Sequence, residues 1–271
     1  MQEHLDVGLP AAVSAAPAKT PVFAINLARA TARRAALVAS AQAAGVDLQV
    51  TTAVDGALLD QTPGIRYSRA HQLARFGREL RQGEIACFAS HYRLWQMLRD
   101  QPGHNWAVIC EDDIQFNADF TQAVAAAQRF AEQHGLSFIR LAGVFNRPYA
   151  RLGRVNEAYE LIRFRKDPLG TQCYLINRHA AAILLEHAAL WYGPVDDYLS
   201  CYWRHGLQPY ALHPYPVQHT QAAQTSSIQS RREKLRRSVR LRREAYRLWT
   251  DGRRLLGNAL WALRYALSHK L

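Results

Sequence analysis

The chain has 271 residues, of which 49% are hydrophobic, and a formal net charge of +12 at pH 7. This length and composition support a folded α/β domain with a real core and exclude a disordered chain. No run approaches the roughly 20 apolar residues needed to span a bilayer, so integral membrane insertion is not expected. The four cysteines, at 87, 110, 173 and 201, lack paired metal-site spacing and are expected to be reduced core residues.

The first predicted elements form a βαβ unit. Residues 1–19, rich in Ala and Pro, are predicted to be a flexible leader that lacks the features of a secretory signal. A strand over 21–27 and a helix running to Gly45 precede a second strand from Leu48 to Val54. This order predicts a parallel sheet with a ligand crevice at the carboxyl ends of its strands.

Residues 106–116 form an apolar strand pattern interrupted by three consecutive acids, Glu111, Asp112 and Asp113. If the strand continues through the acids, Glu111 and Asp113 share one face and Asp112 occupies the other. Adjacent carboxylates repel one another, and a buried anion is costly unless a cation is held beside it. The acids therefore predict either a divalent metal that bridges to a phosphorylated substrate or a strand end with solvated carboxylates.

The remaining elements alternate between helices and short strands. A helix is predicted from about Ser90 to Arg99, so that Ser90 and His91 begin or precede it and Ser90 could serve only as its cap. Further predictions are a helix over 118–134, a strand over 138–141, irregular or hairpin structure over 145–170, a strand over 171–176 and a helix over 179–187. Prolines 209, 214 and 216 are expected to break regular structure.

Several segments together, in this order, resemble glycosyltransferase family 25 over roughly residues 21 to 230. They are Phe23–Leu27, Ala53-Val54-Asp55-Gly56, the Gly83–His91 segment, the acidic triplet and Pro194-Val195-Asp196-Asp197. The family includes bacterial lipooligosaccharide galactosyltransferases and related collagen glycosyltransferase domains. No single string is specific, and the order of all of them carries the resemblance.

The resemblance implies a GT-A-like fold, with a mostly parallel open sheet flanked by helices, and an inverting transfer of a sugar. The expected donor is a UDP-sugar, with galactose as the sugar and Mn²⁺ or Mg²⁺ as the ion, and the expected acceptor is a saccharide of a bacterial surface glycolipid. The predicted metal ligands are Asp112, Asp113 and His219, with Asp113 preferred and Glu111 as the alternative to Asp112. The implied contacts to the nucleotide sugar are Asn26, Arg33, Asp55, Gly56, Ser90, His91 and Glu111.

The general base for such a transfer is expected to be a carboxylate on the acceptor side. Asp196 is the candidate because it matches the acidic position of the family's late motif, and Asp197 is its immediate competitor. Residue chemistry leaves alternatives open at several of these positions. Asp196 could cap a helix, and Asp55-Gly56 could serve only as a turn.

The C-terminal segment 231–271 holds thirteen Lys and Arg against three acids, so the domain predicted over 20–230 is nearly neutral. Leu256, Leu260, Leu263 and Leu267 recur at helical spacing, with Trp261 and Tyr265 nearby. This basic amphipathic helical tail is predicted to bind an anionic membrane surface, which places the protein in the bacterial cytoplasm on the inner face of the membrane. The alternatives are packing on its own domain or on a second copy in a homodimer.

Two other functions are considered. A metal-dependent phosphohydrolase could use the same acids, although two-metal hydrolases usually gather more carboxylates and histidines. A membrane-surface or nucleic-acid-binding module could act through the tail alone. A nearly neutral body argues against nucleic acid as a partner.

Overall fold

The computed structural model describes residues 19–57, 68–189, 193–220 and 237–268. Within these residues the elements are, in chain order, β1 (Val22–Asn26), α1 (Thr31–Ala43), β2 (Leu48–Thr52), α2 (Arg69–Phe76), α3 (Gln82–Asp100), β3 (Trp106–Glu111), β4 (Ile114–Phe116), α4 (Phe120–Gln133), β5 (Phe138–Arg140), β6 (Tyr149–Arg154), β7 (Glu160–Phe164), β8 (Cys173–Asn177), α5 (Arg178–His187), α6 (Val195–Leu199), α7 (Tyr202–His205), β9 (Tyr210–His213), β10 (Val217–His219) and α8 (Arg237–Ser268).

Eight strands form one sheet in the order β2-β1-β3-β8-β5-β9-β7-β6. β1 pairs in parallel with both β2 and β3, and β5 pairs in parallel with β9. β8 and β7 run against their neighbours, so six of the eight described strands point the same way and the sheet is mixed. The predicted α/β sheet flanked by helices is confirmed, and its mixed pairing follows from these two reversed strands.

Both faces of the sheet are buried, which explains the continuous apolar character of its central strands. Alternate residues of β1 and β3, such as Val22 and Val108, pack with α1 and α4 on one face. Their neighbours Phe23 and Ile109 pack with α3 and α5 on the other face. The three acids therefore lie at the carboxyl end of a central strand that is buried on both faces.

The structure refines three local expectations, and one of them, the start of α3, is wrong. β3 ends at Glu111, and Asp112 and Asp113 form a turn, because the chain leaves the main sheet there to pair β4 with β10 in a separate antiparallel ribbon. α3 begins at Gln82 rather than near Ser90, since Glu84 closes a capping box with Arg81. The proline-rich segment contains β9 and β10, because its prolines lie outside both strands.

The C-terminal helix α8 has 32 residues and packs against α2 and α7. Among the described residues, no helix combines the length and the apolar character required to cross a membrane. All four cysteines are free, as predicted. The predicted leader, apart from Lys19, and the predicted boundary between residues 230 and 231 lie outside the described part of the chain, so this division stays a prediction.

Candidate functional site

A cleft of about 400 Å³ lies at the carboxyl ends of β1, β2 and β3. These ends meet at one edge of the sheet because β1 is parallel to both neighbours, with Asn26 opposite Thr52 and Ile25 opposite Glu111. The predicted site residues that line the cleft are Arg33, Asp55, Gly56, Ser90, Glu111 and Asp112, together with Arg29. The topology thus brings together residues from four separate segments of the sequence.

Glu111 and Asp112 turn toward opposite sides of the cleft. A carboxylate oxygen of Asp112 accepts a hydrogen bond of 2.6 Å from Asn26 Nδ2, and the other pairs with Arg33 at 2.8 Å. Burial raises the pKa of Asp112, even though Asn26 and Arg33 favour its charged form. Asp112 is therefore already partly neutralised by protein groups.

Glu111 faces α3, where its carboxylate accepts a hydrogen bond from the Thr171 hydroxyl and lies 3.5 Å from His91 Nε2. Burial opposes its ionisation, but the contacts with His91 and Thr171 and the charge of Arg33 outweigh it and lower the pKa of Glu111. Glu111 is therefore the acid of the triplet whose charge the protein stabilises most directly.

Asp113 lacks such partners. Its Oδ1 atom is buried and has no hydrogen-bond partner among the described residues. Burial and the neighbouring charges of Glu111 and Asp112 raise the pKa of Asp113 to about 6, while His219 acts in the opposite direction. The β4–β10 ribbon brings His219 to Asp113, since Thr220 donates to the Asp113 carbonyl oxygen at 3.0 Å. A buried carboxylate oxygen without a partner, near an imidazole, fits a divalent cation.

His91 is held by a buried aromatic chain. Trp95 Nε1 donates to the Tyr174 hydroxyl oxygen at 3.0 Å, and that oxygen lies 2.8 Å from His91 Nδ1. Burial raises the pKa of Tyr174 well above its usual value, so the phenol keeps its proton and can donate it to Nδ1. This tautomer leaves the Nε2 proton directed at Glu111. His91 lies outside the cleft lining and acts through Glu111.

Ser90 is an interior residue of α3 rather than its cap. Its hydroxyl donates to the Ala86 carbonyl oxygen at 2.8 Å and accepts from the Val54 backbone at 2.9 Å. It thereby ties the segment after β2 to α3. Helix α3 starts eight residues earlier because Glu84 and Arg81 supply its N-terminal cap.

Cys87 is a site residue that sequence reasoning missed. Its sulfur lies within 4.8 Å of ligand atoms of His91 and Glu111, so these three side chains could also hold a metal ion if His91 took the other tautomer, with Nε2 unprotonated. Cys87 is half-buried and lines the cleft, rather than being a core residue. The available signal was its position four residues before His91, which places both on one face of a helix.

Asp55 and Gly56 close the other side of the cleft. Asp55 pairs with Arg29, and its Oδ1 atom accepts from the Ala57 backbone at 3.0 Å, so the turn alternative applies here. A Cβ atom on Gly56 would lie 2.9 Å from the carbonyl carbon of Gln82. Glycine therefore allows the loop after β2 to approach the start of α3.

Asp196 and Asp197 lie in the first turn of α6. The N-cap of α6 is Pro194, so the alternative of Asp196 as the capping residue is wrong. Asp196 Oδ1 accepts from the Asp197 backbone at 2.8 Å. Burial raises the pKa of Asp196, and the charges of Glu111 and Arg140 also act on it. Asp196 is not among the described residues that line the cleft.

Asp197 has a different environment because Arg75 of α2 approaches its two carboxylate oxygens at 2.6 and 2.5 Å. Burial raises the pKa of Asp197 to about 6 although Arg75 lowers it. The structure thus separates two adjacent acids that the sequence left equivalent.

A buried ion pair between Arg140 and Asp167 was also missed. Arg140 Nε donates to Asp167 at 2.9 Å, and Nη1 donates to the Gly170 carbonyl oxygen at 2.5 Å. The two side chains are 1% and 3% exposed. An arginine inside the apolar strand β5 was the available signal. Its charge acts on Asp196 and favours the ionised form.

Comparison with known proteins finds similar sequences over much of the chain. The family model described as "Glycosyltransferase family 25 (LPS biosynthesis protein)" matches residues 19–199. The chain is 28% identical over 203 residues to "Procollagen galactosyltransferase 1" of Danio rerio, covering 71% of this chain and 33% of that protein. It is 28% identical over 190 residues to a "Glycosyltransferase 25 family member" of Aedes aegypti, covering 66% of this chain and 30% of that protein.

A further relative is the "Inactive glycosyltransferase 25 family member 3" of Homo sapiens, with 31% identity over 121 residues. That match covers 43% of this chain and 20% of the relative. The chain therefore spans a third or less of the length of these relatives.

Proposed function

Because the chain belongs to glycosyltransferase family 25, we propose that it is an inverting glycosyltransferase that moves galactose from a UDP-sugar to a saccharide acceptor. The observation that carries the proposal is the unpartnered buried oxygen of Asp113 beside a cleft at the ends of parallel strands. In open α/β sheets, ligands bind at this edge. The printed name of the Danio rerio relative supports galactose as the sugar.

The donor is expected to place its diphosphate near Arg29 and Arg33. Both side chains line the cleft near the beginning of α1, where the free backbone N–H groups of a helix also favour anions. Asn26 is buried beneath them and fixes Asp112 rather than facing the cleft. The arginines would bind the donor and orient its sugar toward Asp196.

Asp113 would hold Mn²⁺ or Mg²⁺ together with His219 and Asp112, since carboxylate oxygens and an imidazole match these ions. Asp112 would have to exchange its contact with Arg33, and His219 its contact with the Gly143 carbonyl oxygen, for the ion. When bound, the ion supplies positive charge that stabilises the departing nucleoside diphosphate. Glu111, oriented by His91 and Thr171, is left to contact the donor sugar from the opposite side of the cleft.

Asp196 is the proposed general base. Its carboxylate accepts only a backbone N–H among the described residues, whereas that of Asp197 is bound by Arg75. Asp196 would take the proton of the acceptor hydroxyl as its oxygen attacks the anomeric carbon and the bond to the diphosphate breaks. Attack from the face opposite the leaving group inverts the anomeric centre, which is the stereochemistry that the family resemblance implies.

The acceptor is proposed to be a saccharide of a bacterial surface glycolipid, made at the inner face of the cytoplasmic membrane. The description of the matching family as an LPS biosynthesis protein supports this choice. The nearly neutral body beside a basic helix supports a membrane-linked acceptor over a nucleic acid.

Thermal unfolding with a panel of nucleotide sugars, with and without Mn²⁺, tests the proposal. UDP-galactose with Mn²⁺ should raise the melting temperature most, because a ligand that binds only the folded state stabilises it by about 2.7 kcal/mol at a hundredfold excess over Kd. Since Asp113 takes up a proton near pH 6, Mn²⁺ should stabilise the protein less at pH 5 than at pH 7.5.

Asp113→Asn should remove the Mn²⁺ effect at both pH values, whereas Asp47→Asn, an exposed acid distant from the cleft, should preserve it. Transfer of galactose to a saccharide should follow the same pattern. Release of phosphate from nucleotides without any acceptor would instead favour the phosphohydrolase, and donor binding without transfer would indicate an inactive member of the family.

A further inference from the structure

Helix α8 is fixed to the body by one face. Asn258 Oδ1 accepts from the Tyr202 hydroxyl at 2.7 Å and from Arg163 Nη2 at 3.0 Å, and its amide donates to the Arg165 carbonyl oxygen at 2.9 Å. Trp261 stacks on the Arg163 guanidinium at 4.2 Å and donates to Tyr210 at 3.1 Å. Such specific contacts define which side of α8 faces outward.

The outward side is apolar. Eight large hydrophobic side chains of α8 are 48 to 71% exposed, namely Leu241, Leu248, Trp249, Leu255, Leu256, Leu260, Leu263 and Leu267. At about 100° per residue, these positions fall opposite the face that contains Tyr246, Gly257 and Trp261. They are most of the exposed large hydrophobic residues in the described part of the chain.

Exposed arginines border this apolar face. Arg240 and Arg247 fall on one side of it, and Arg242, Arg253 and Arg264 fall on the other. The whole helix holds eight arginines and only two acids, Glu244 and Asp251. An apolar stripe between two rows of arginines is the pattern of a helix that lies in the headgroup region of an anionic bilayer.

We propose that the outward face of α8 is a membrane-binding surface, with the helix axis parallel to an anionic bilayer and its leucines directed into the acyl boundary. A second copy of the chain fits this face less well, because two α8 helices side by side would bring their arginine rows together without enough acids to balance them. Anionic lipid headgroups supply the missing negative charge. The lipid contact does not depend on the transfer chemistry.

The surface also has a physical link to the catalytic acids. The Arg75 guanidinium lies 5.3 Å from the ring centroid of Tyr246 in α8 and binds Asp197 at 2.5 Å. Helix α8 therefore contacts Arg75, and Arg75 binds Asp197, the residue that follows Asp196 in the chain. Resting on the proposed function, this link would fix the orientation of the acceptor side of the cleft relative to the membrane.

Flotation of the full chain with lipid vesicles tests the surface. The protein should float with vesicles containing phosphatidylglycerol, bind pure phosphatidylcholine poorly, and be partly released by high salt. The triple substitution Leu256→Ser, Leu260→Ser and Leu263→Ser should reduce partitioning on the order of 10³-fold, because each buried leucine contributes about tenfold or more.

The matched control replaces three alanines of the same face with serine: Ala259→Ser, Ala262→Ser and Ala266→Ser. This variant should bind vesicles nearly as well as the parent. Both variants should retain the parent circular dichroism spectrum and the thermal shift with nucleotide sugars, which separates this test from that of the transferase. Unchanged vesicle binding by the leucine variant would overturn the proposal. The proposal would also be overturned if the parent protein did not bind vesicles and formed a dimer that the leucine variant could not form. That result would assign the face to a second copy of the chain.

Discussion

At the scale of single residues, the three adjacent acids are tolerated because each has a different environment. Asp112 is paired with Arg33 and Asn26, and Glu111 is bound by Thr171 beside His91. Only Asp113 retains a buried oxygen without a partner among the described residues. Since a buried carboxylate is costly when it is charged and unpaired, Asp113 is the member of the triplet whose environment most favours an added cation.

The same reasoning separates Asp196 from Asp197. Asp196→Asn should lower kcat by about 10²–10⁴-fold and leave the affinity for UDP-galactose nearly unchanged, because the amide keeps the shape but cannot accept the proton. Asp197→Asn should instead lower the free energy of unfolding by about 1–3 kcal/mol, since it leaves the half-buried charge of Arg75 without its carboxylate. Steady-state kinetics and urea unfolding of both variants measure the two effects.

Urea unfolding of Asp196→Asn should give a midpoint close to that of the parent, which serves as the control for folding. The assignment reverses if Asp196→Asn turns over normally while Asp197→Asn loses kcat without losing stability. In that case Asp197 would be the base and Arg75 would be its positioning residue.

At the scale of elements, α3 organises one wall of the cleft. Its Ser90 binds the backbone after β2, its His91 faces Glu111, and its first turn is capped by Glu84, which also binds Arg78 at 2.6 Å. The close approach of Gly56 to Gln82 joins the loop after β2 to the beginning of this helix. A substitution that disrupts either contact should therefore lower both the free energy of unfolding and the affinity for the donor.

Two glycines that line the cleft provide a matched pair for this contact. Gly56→Ala should lower the free energy of unfolding by about 1–3 kcal/mol, because its Cβ atom would meet backbone atoms of Gln82 at about 2.9 Å. Gly83→Ala has open space around its Cβ atom and lies within α3, so it should raise stability by up to about 1 kcal/mol. Equal unfolding midpoints in urea for the two variants would show that the loop and the helix do not depend on this close approach.

At the scale of the whole molecule, α8 joins the C-terminal segment to the body of the protein. It contacts α2 and α7, and its Asn258 and Trp261 meet Arg163 of β7, which is only 2% exposed. Burial lowers the pKa of Arg163, and the nearby Tyr202 and Tyr210 act in the opposite direction. The basic helix is therefore bound to the body through specific polar contacts rather than through its leucines.

Asn258→Ala should lower the free energy of unfolding by about 1–3 kcal/mol, because it removes an acceptor from the buried Arg163 and a donor from the Arg165 carbonyl oxygen. Leu260→Ala, an exposed neighbour on the outward face, should change stability by no more than about 0.5 kcal/mol. Chemical denaturation compares the two. If both variants unfold at the same urea concentration, α8 does not contribute to the stability of the body through these contacts.

The sequence by itself determined the order of most elements. The β1–α1–β2 unit, the acidic end of β3, helices α4 and α5 and the basic amphipathic helix all follow from local apolar periodicity and charge, which neighbouring residues encode. It also determined that several candidate residues follow strands that end at one edge of a sheet. Residue roles within the cleft and the division at residue 230 stay predictions.

Only the tertiary structure decided which distant residues meet. The reversed strands β8 and β7, the Trp95–Tyr174–His91 chain and the Arg75–Asp197 pair join segments far apart in sequence, and packing rather than local periodicity selects them. Trp261 was expected at a membrane surface, but the structure turns it toward Arg163 and exposes the leucines instead. An amphipathic pattern fixes which residues share a face of a helix, whereas the neighbour that each face meets depends on how the whole chain packs.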